Sequence, residues 1–123
     1  MKVLNPQIHG LIDYISVVGL ALAPTLFGLQ GISAILAYAL AVIHLIMTVL
    51  TAFPLGLIKL IPLKLHGLVE IIVGASLVAL PWAFAGALDF GSVGRIFYTG
   101  FGAVLIAVWL LSDYGTEARS ARA

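Results

Sequence analysis

The chain has 123 residues, of which 63% are hydrophobic and 9% charged, with a mean hydropathy of +1.20. That balance leaves a soluble domain too little polar surface and implies an integral membrane protein. A net charge of +1 argues against nucleic acid as a partner, and the absence of cysteine excludes disulfides, thiolate metal sites and thiol redox chemistry.

Tyr14 to Ile58, Ile71 to Leu88 and Ile96 to Ser112 contain no Asp, Glu, Lys or Arg. One crossing needs about 20 apolar residues, so the first of these runs holds more than one. The N-terminus has the outline of a signal peptide, with Lys2, an apolar run and "ALA" at 21 to 23. Pro24 after the cleavage point, Asp13 within the apolar region and the recurrence of the same phrase mid-chain mark the segment as retained.

A first helix is predicted at 7 to 28, opened by Asn5 or Gln7 with Pro6 and closed by "GLQG" at 28 to 31. A second follows at 32 to 53, and "FPLGLIKLIPLK" turns the chain back with its lysines out along the membrane interface. A third, begun by Pro62, covers 64 to 85, and a fourth covers 94 to 114 after "GALDFGSVG". The polar tail "TEARSARA" at 116 to 123 is expected to be disordered and cytoplasmic. Small residues recur four apart in every segment (Gly19/Ala23, Ala37/Ala41, Ala75/Ala79, Thr99/Ala103/Ala107), a spacing that lets helix backbones approach closely in lipid.

"HGLIDY" at His9 returns as "HGLVEI" at His66, 57 residues later, and Gly31/Gly91, Tyr38/Tyr98, Leu45/Leu105 and Leu50/Leu110 align at an offset of 60. The fold class expected is therefore all-α: a four-transmembrane-helix bundle made by tandem, parallel duplication of a two-helix hairpin. The repeats are 1–56 and 57–115, related by a pseudo-twofold along the membrane normal. Four crossings put Lys2, Lys59, Lys64, Arg119 and Arg122 on one side and Arg95 on the other, so both termini are expected in the cytoplasm. Trp82, Phe84, Phe97 and Tyr98 would form the outer aromatic belt, with Trp109 and Tyr114 at the inner one.

The paired two-helix units, with "LPW" at Leu80, Pro81 and Trp82 late in the third segment, resemble the SPW-repeat family of small bacterial membrane proteins. The first copy reads "APT" at Ala23, Pro24 and Thr25, without the tryptophan or the serine. The resemblance covers most of the chain and implies the bacterial inner membrane and the tandem architecture, but no activity. The residues themselves explain the motif structurally: proline bends the last turns of a helix and tryptophan anchors its end.

His9 and Asp13 stand one helical turn apart, as do His66 and Glu70, and the parallel repeat puts both pairs at one depth. Asp113 returns to a similar level, and His44, about 15 Å from the inner end of its helix, lies deepest. Each acid costs about 2.5–3.5 kcal/mol at a helix centre and less toward its ends, so all of them need partners. One role for such a cluster is hydrogen bonding between helices.

Two imidazoles with two or three carboxylates also suit Zn, Mn or non-haem Fe, making His9, Asp13, His44, His66, Glu70 and Asp113 the candidate metal ligands. A haem between His9 and His66, and proton or small-solute movement along the polar wedge, are the other readings. With no nucleophile, phosphate loop or catalytic set in the sequence, the function expected is an accessory or scaffold component without catalysis. Its partners are the bilayer and either further copies of itself or a larger membrane complex. A metal- or haem-binding redox protein or enzyme and a transporter are the alternatives.

Overall fold

A computed structural model describes residues 2–83 and 86–115. Four helices follow one another: α1 (Pro6–Phe27), α2 (Ile32–Val49), α3 (Leu63–Ala83) and α4 (Gly91–Leu111), each long and apolar enough to cross a membrane. The all-α four-helix architecture is therefore as expected. Tail residues 116–123, with Arg119 and Arg122, and the belt residue Phe84 lie outside the described residues.

Local chemistry fixes the helix ends. The Asn5 side chain accepts from the Ile8 N–H at 2.9 Å, and Pro6 occupies the first turn, where its missing donor has no consequence. Gly28 closes α1 in the left-handed conformation (φ 66°) and donates its N–H to the Pro24 carbonyl.

Two ends fall short of their predicted places. α2 stops at Val49, because Thr51 and Ala52 turn to run beside the chain that enters α3: Ile61 N–H donates to Leu50 O at 2.7 Å and Ala52 N–H to Ile61 O at 2.8 Å. α4 stops at Leu111 for the same reason. Ser112 is extended, Leu4 N–H donates to Leu111 O at 2.9 Å, and Asp113 N–H donates to Leu4 O at 3.1 Å. Each entering segment is thus clasped by the end of the other half. The α2–α3 connection is a loop folded back on α2, with Leu57 and Ile58 donating to Val49 O.

α1 packs along α2 and α3 along α4. The buried face of α3 repeats that of α1 at the offset of 57: Pro6/Leu63, His9/His66, Gly10/Gly67, Asp13/Glu70, Leu20/Leu77 and Pro24/Pro81. α2 and α4 match at 61, not 60, through Ser33/Gly94, Ala37/Tyr98, Ala41/Gly102 and His44/Leu105. The letter identity Tyr38/Tyr98 is misleading, because Tyr38 is 49% exposed whereas Tyr98 is fully buried and donates to Ser33 O at 2.5 Å. Tyr98 is therefore a core residue and not part of the outer belt.

Of the small-residue rows only Ala37/Ala41 lies wholly inside; Gly19, Ala75, Ala79, Ala103 and Ala107 face outward. The close crossing of α3 and α4 falls instead at Gly74 and Gly102, where each backbone carbonyl sits against the other glycine. The outward surface of α1, Leu11, Ile15, Val18, Leu22 and Leu26, is a helical stripe of exposed apolar side chains suited to lipid. Inside, an apolar core built on Ala23, Leu77, Phe90 and Tyr98 fills one end of the bundle, and a smaller one of Phe53, Leu63 and Tyr114 the other. The recurring His/carboxylate pairs lie near this smaller core, where both histidines pack against Phe53.

Candidate metal centre

α1 contributes His9 and Asp13, α3 contributes His66 and Glu70, and α2 contributes His44; all five are buried. The two histidine rings meet edge to face with centroids 5.3 Å apart. His9 Nε2 lies 3.4 Å from Asp13 Oδ2 and 3.3 Å from Glu70 Oε2. His66 Nε2 lies 3.1 Å from Asp13 Oδ2 and 4.0 Å from Glu70 Oε2. Each histidine is thus nearer to the acid of the other half than to its own. His44 Nε2 stands 3.6 Å from Asp13 Oδ1, level with the cluster rather than far below it, because α2 ends only five residues on, at Val49.

Short distances do not make these contacts hydrogen bonds. His9 Nε2, His44 Nε2, His66 Nε2, Asp13 Oδ2 and Glu70 Oε1 have no aligned hydrogen-bond partner among the described residues. The backs of the rings are well held, however. His9 Nδ1 is 2.7 Å from Ser112 Oγ and His66 Nδ1 is 2.7 Å from Thr51 Oγ1. Both hydroxyls spend their one proton on a backbone carbonyl, Ser112 on Val108 at 2.6 Å and Thr51 on Met47 at 2.5 Å. Each hydroxyl oxygen therefore accepts from an Nδ1–H. In a neutral ring that arrangement leaves Nε2 as a bare lone pair facing the carboxylates.

Lone pairs facing carboxylates in a buried site repel unless a positive charge lies between them. With neutral rings, Asp13 and Glu70 give the cluster a charge of −2, which one divalent cation neutralises. The spacing fits as well. Ligands about 2.1 Å from one metal lie about 3.0 Å apart at right angles and about 3.4 Å apart in a tetrahedron; three of the four distances, 3.1, 3.3 and 3.4 Å, fall there or between. Donor atoms of His9, His66 and Glu70 all lie within 4.8 Å of one another. A haem between the two histidines does not fit, since Asp13 and Glu70 oxygens stand within 3.4 Å of His9 Nε2, where its macrocycle would have to lie.

Asp113 is directed elsewhere, its Oδ1 accepting from the Gly115 N–H at 3.0 Å. Tyr114 takes a place that the sequence did not assign to it. Instead of joining an interfacial belt, its ring packs over His9 with centroids 5.8 Å apart, and its hydroxyl donates to Glu70 Oε2 at 3.3 Å. Burial, with the Glu70 charge second, pushes this phenol well above its ordinary range, so it stays a donor. Phe53, 61 residues earlier, is its counterpart over the other half, 5.9 Å from the His66 ring.

Gly10 and Gly67 permit this aromatic lid: a Cβ on Gly67 would meet the Tyr114 ring at 2.7 Å, and one on Gly10 would meet Phe53 and Leu55 at 3.1 Å. Thr51, Ser112, Phe53 and Tyr114 are the residues that sequence reasoning under-read. The one available signal was their shared offset of 61, hidden by the letter matches at 60. Comparison of the chain with protein-family models, curated proteins and solved structures finds no match.

Proposed function

We propose that this chain is a multi-pass protein of the bacterial inner membrane, with both termini cytoplasmic, that binds one divalent transition-metal ion at His9, His66, Glu70 and Asp13. It acts as an accessory component of a larger membrane assembly. Zinc, manganese and non-haem iron match the nitrogen and oxygen donors. The observation that carries the reading is the pair of hydroxyl-fixed imidazoles whose free Nε2 atoms face two buried carboxylates without an aligned hydrogen bond. Tandem duplication, and with it kinship to SPW-repeat proteins, belongs to the same reading. It is supported by the recurrence of buried positions at 57, Pro24/Pro81 among them.

Elemental analysis of protein purified in detergent tests the proposal. The expected result is about one zinc, manganese or iron per chain, lost on His9→Ala or His66→Ala, with thermal stability falling when a chelator removes it. Metal-free protein whose unfolding temperature does not respond to added zinc, manganese or ferrous iron would overturn it. The cluster would then be protonated, inter-helix hydrogen bonding.

A further inference from the structure

A slot opens between α2 and α3 on the deeper side of the cluster. Its walls include Leu20, Leu40, Met47, Val73, Phe101 and Leu105, and His44 and Glu70 complete it. Glu70 is 2% exposed, and its Oε1, like His44 Nε2, has no hydrogen-bond partner among the described residues. Ile43 stands at the mouth, 59% exposed on the side of α2 that meets lipid.

We infer that this slot is a port through which a small uncharged molecule of the dioxygen or nitric oxide class passes from the bilayer to the metal site.

Size sets the upper limit. The slot holds about 50 Å³, against about 150 Å³ for an apolar cavity that accommodates benzene, so a two- or three-atom molecule fits and a quinone ring does not. Chemistry sets the class. An ion entering from hydrocarbon would lose its hydration against aliphatic walls, whereas an uncharged apolar gas loses nothing. Polarity is confined to His44 and Glu70, which lie behind the apolar walls at the floor.

Position supplies the link to the metal. Glu70 turns Oε2 toward His9 and leaves Oε1 without a partner, so a molecule on the floor lies against the carboxylate of the donor set. Four donors, from His9, His66, Glu70 and Asp13, leave two positions of a six-coordinate iron open, as small-ligand binding requires. The opposite approach is closed by Phe53, Leu55 and Tyr114.

The inference rests on the metal-binding reading, and the test separates the two. Protein in lipid nanodiscs is loaded anaerobically with ferrous iron, the iron is counted, and nitric oxide is added as the probe. The expected result is the electron paramagnetic resonance signal of a ferrous nitrosyl in the parent. In Val73→Phe, inside the slot, and Ile43→Trp, on the lipid-facing mouth where the fold is not at risk, iron is retained but nitrosyl formation slows about tenfold. Iron bound without a nitrosyl signal, or formed as fast in both slot variants as in the parent, overturns the port and leaves the metal site standing. Failure to bind iron overturns the port, and the metal site falls with it when zinc and manganese are refused as well.

Discussion

Thr51 and Ser112 show how much a single hydroxyl decides. Neither would touch the metal, yet each holds one imidazole with its Nε2 bare by accepting from Nδ1–H while donating to the preceding turn. Thr51→Val and Ser112→Ala are each expected to lower metal affinity about 10- to 100-fold, measured by competition with a chromogenic chelator. Unchanged affinity in both would mean that the tautomer is set by something else. The residues of the polar cluster were legible in the sequence because His9, Asp13, His66 and Glu70 are costly in an apolar helix and recur at one spacing. The hydroxyls were not, because Ser and Thr near a helix end are ordinary and their role depends on contacts 103 residues away for Ser112 and 15 for Thr51. Asp113 misled for the opposite reason. It has the right charge at the right level, but its Oδ1 is engaged by the turn that begins at its own position.

At the scale of the helix, the number and type of elements could be read from apolar length alone, whereas the contact faces could not. Small residues four apart are common in transmembrane segments, and the spacing does not say which row meets a neighbour. Packing selects Gly74 and Gly102: a Cβ on Gly102 would stand 2.6 Å from the Gly74 carbonyl oxygen, a backbone atom that cannot swing aside. Gly102→Ala is expected to destabilise the bundle by about 1–3 kcal/mol. Gly100→Ala, with nothing within 4 Å of its Cβ, is expected to be neutral or to gain up to about 1 kcal/mol from helix propensity. Unfolding of the two variants in mixed micelles checks the contrast, and equal stabilities would show that the α3–α4 crossing is not tight. His44 belongs to this scale too. Its counterpart at the register of burial is the apolar Leu105, so the two halves share a frame but not the third imidazole.

Across the whole molecule, the clasps are the feature with the widest reach. Leu4 lies along Ser112 in the same way that Ile61 lies along Thr51, so the start of each half is held by the finish of the other. The order in which the helices are translated is therefore not written into the contacts that hold them. A circularly permuted chain, with residue 115 tethered to residue 2 and new ends opened between Leu57 and Ile58, keeps every clasp bond between the halves and both histidine–hydroxyl pairs. Such a permutant is expected to insert and to take up metal like the parent, as judged by its metal content after purification. One that inserts but stays metal-free would tie the site to the native chain order. If the permutant succeeds, the bundle behaves as a closed ring of two interlocked hairpins, in which neither hairpin is first and neither is last.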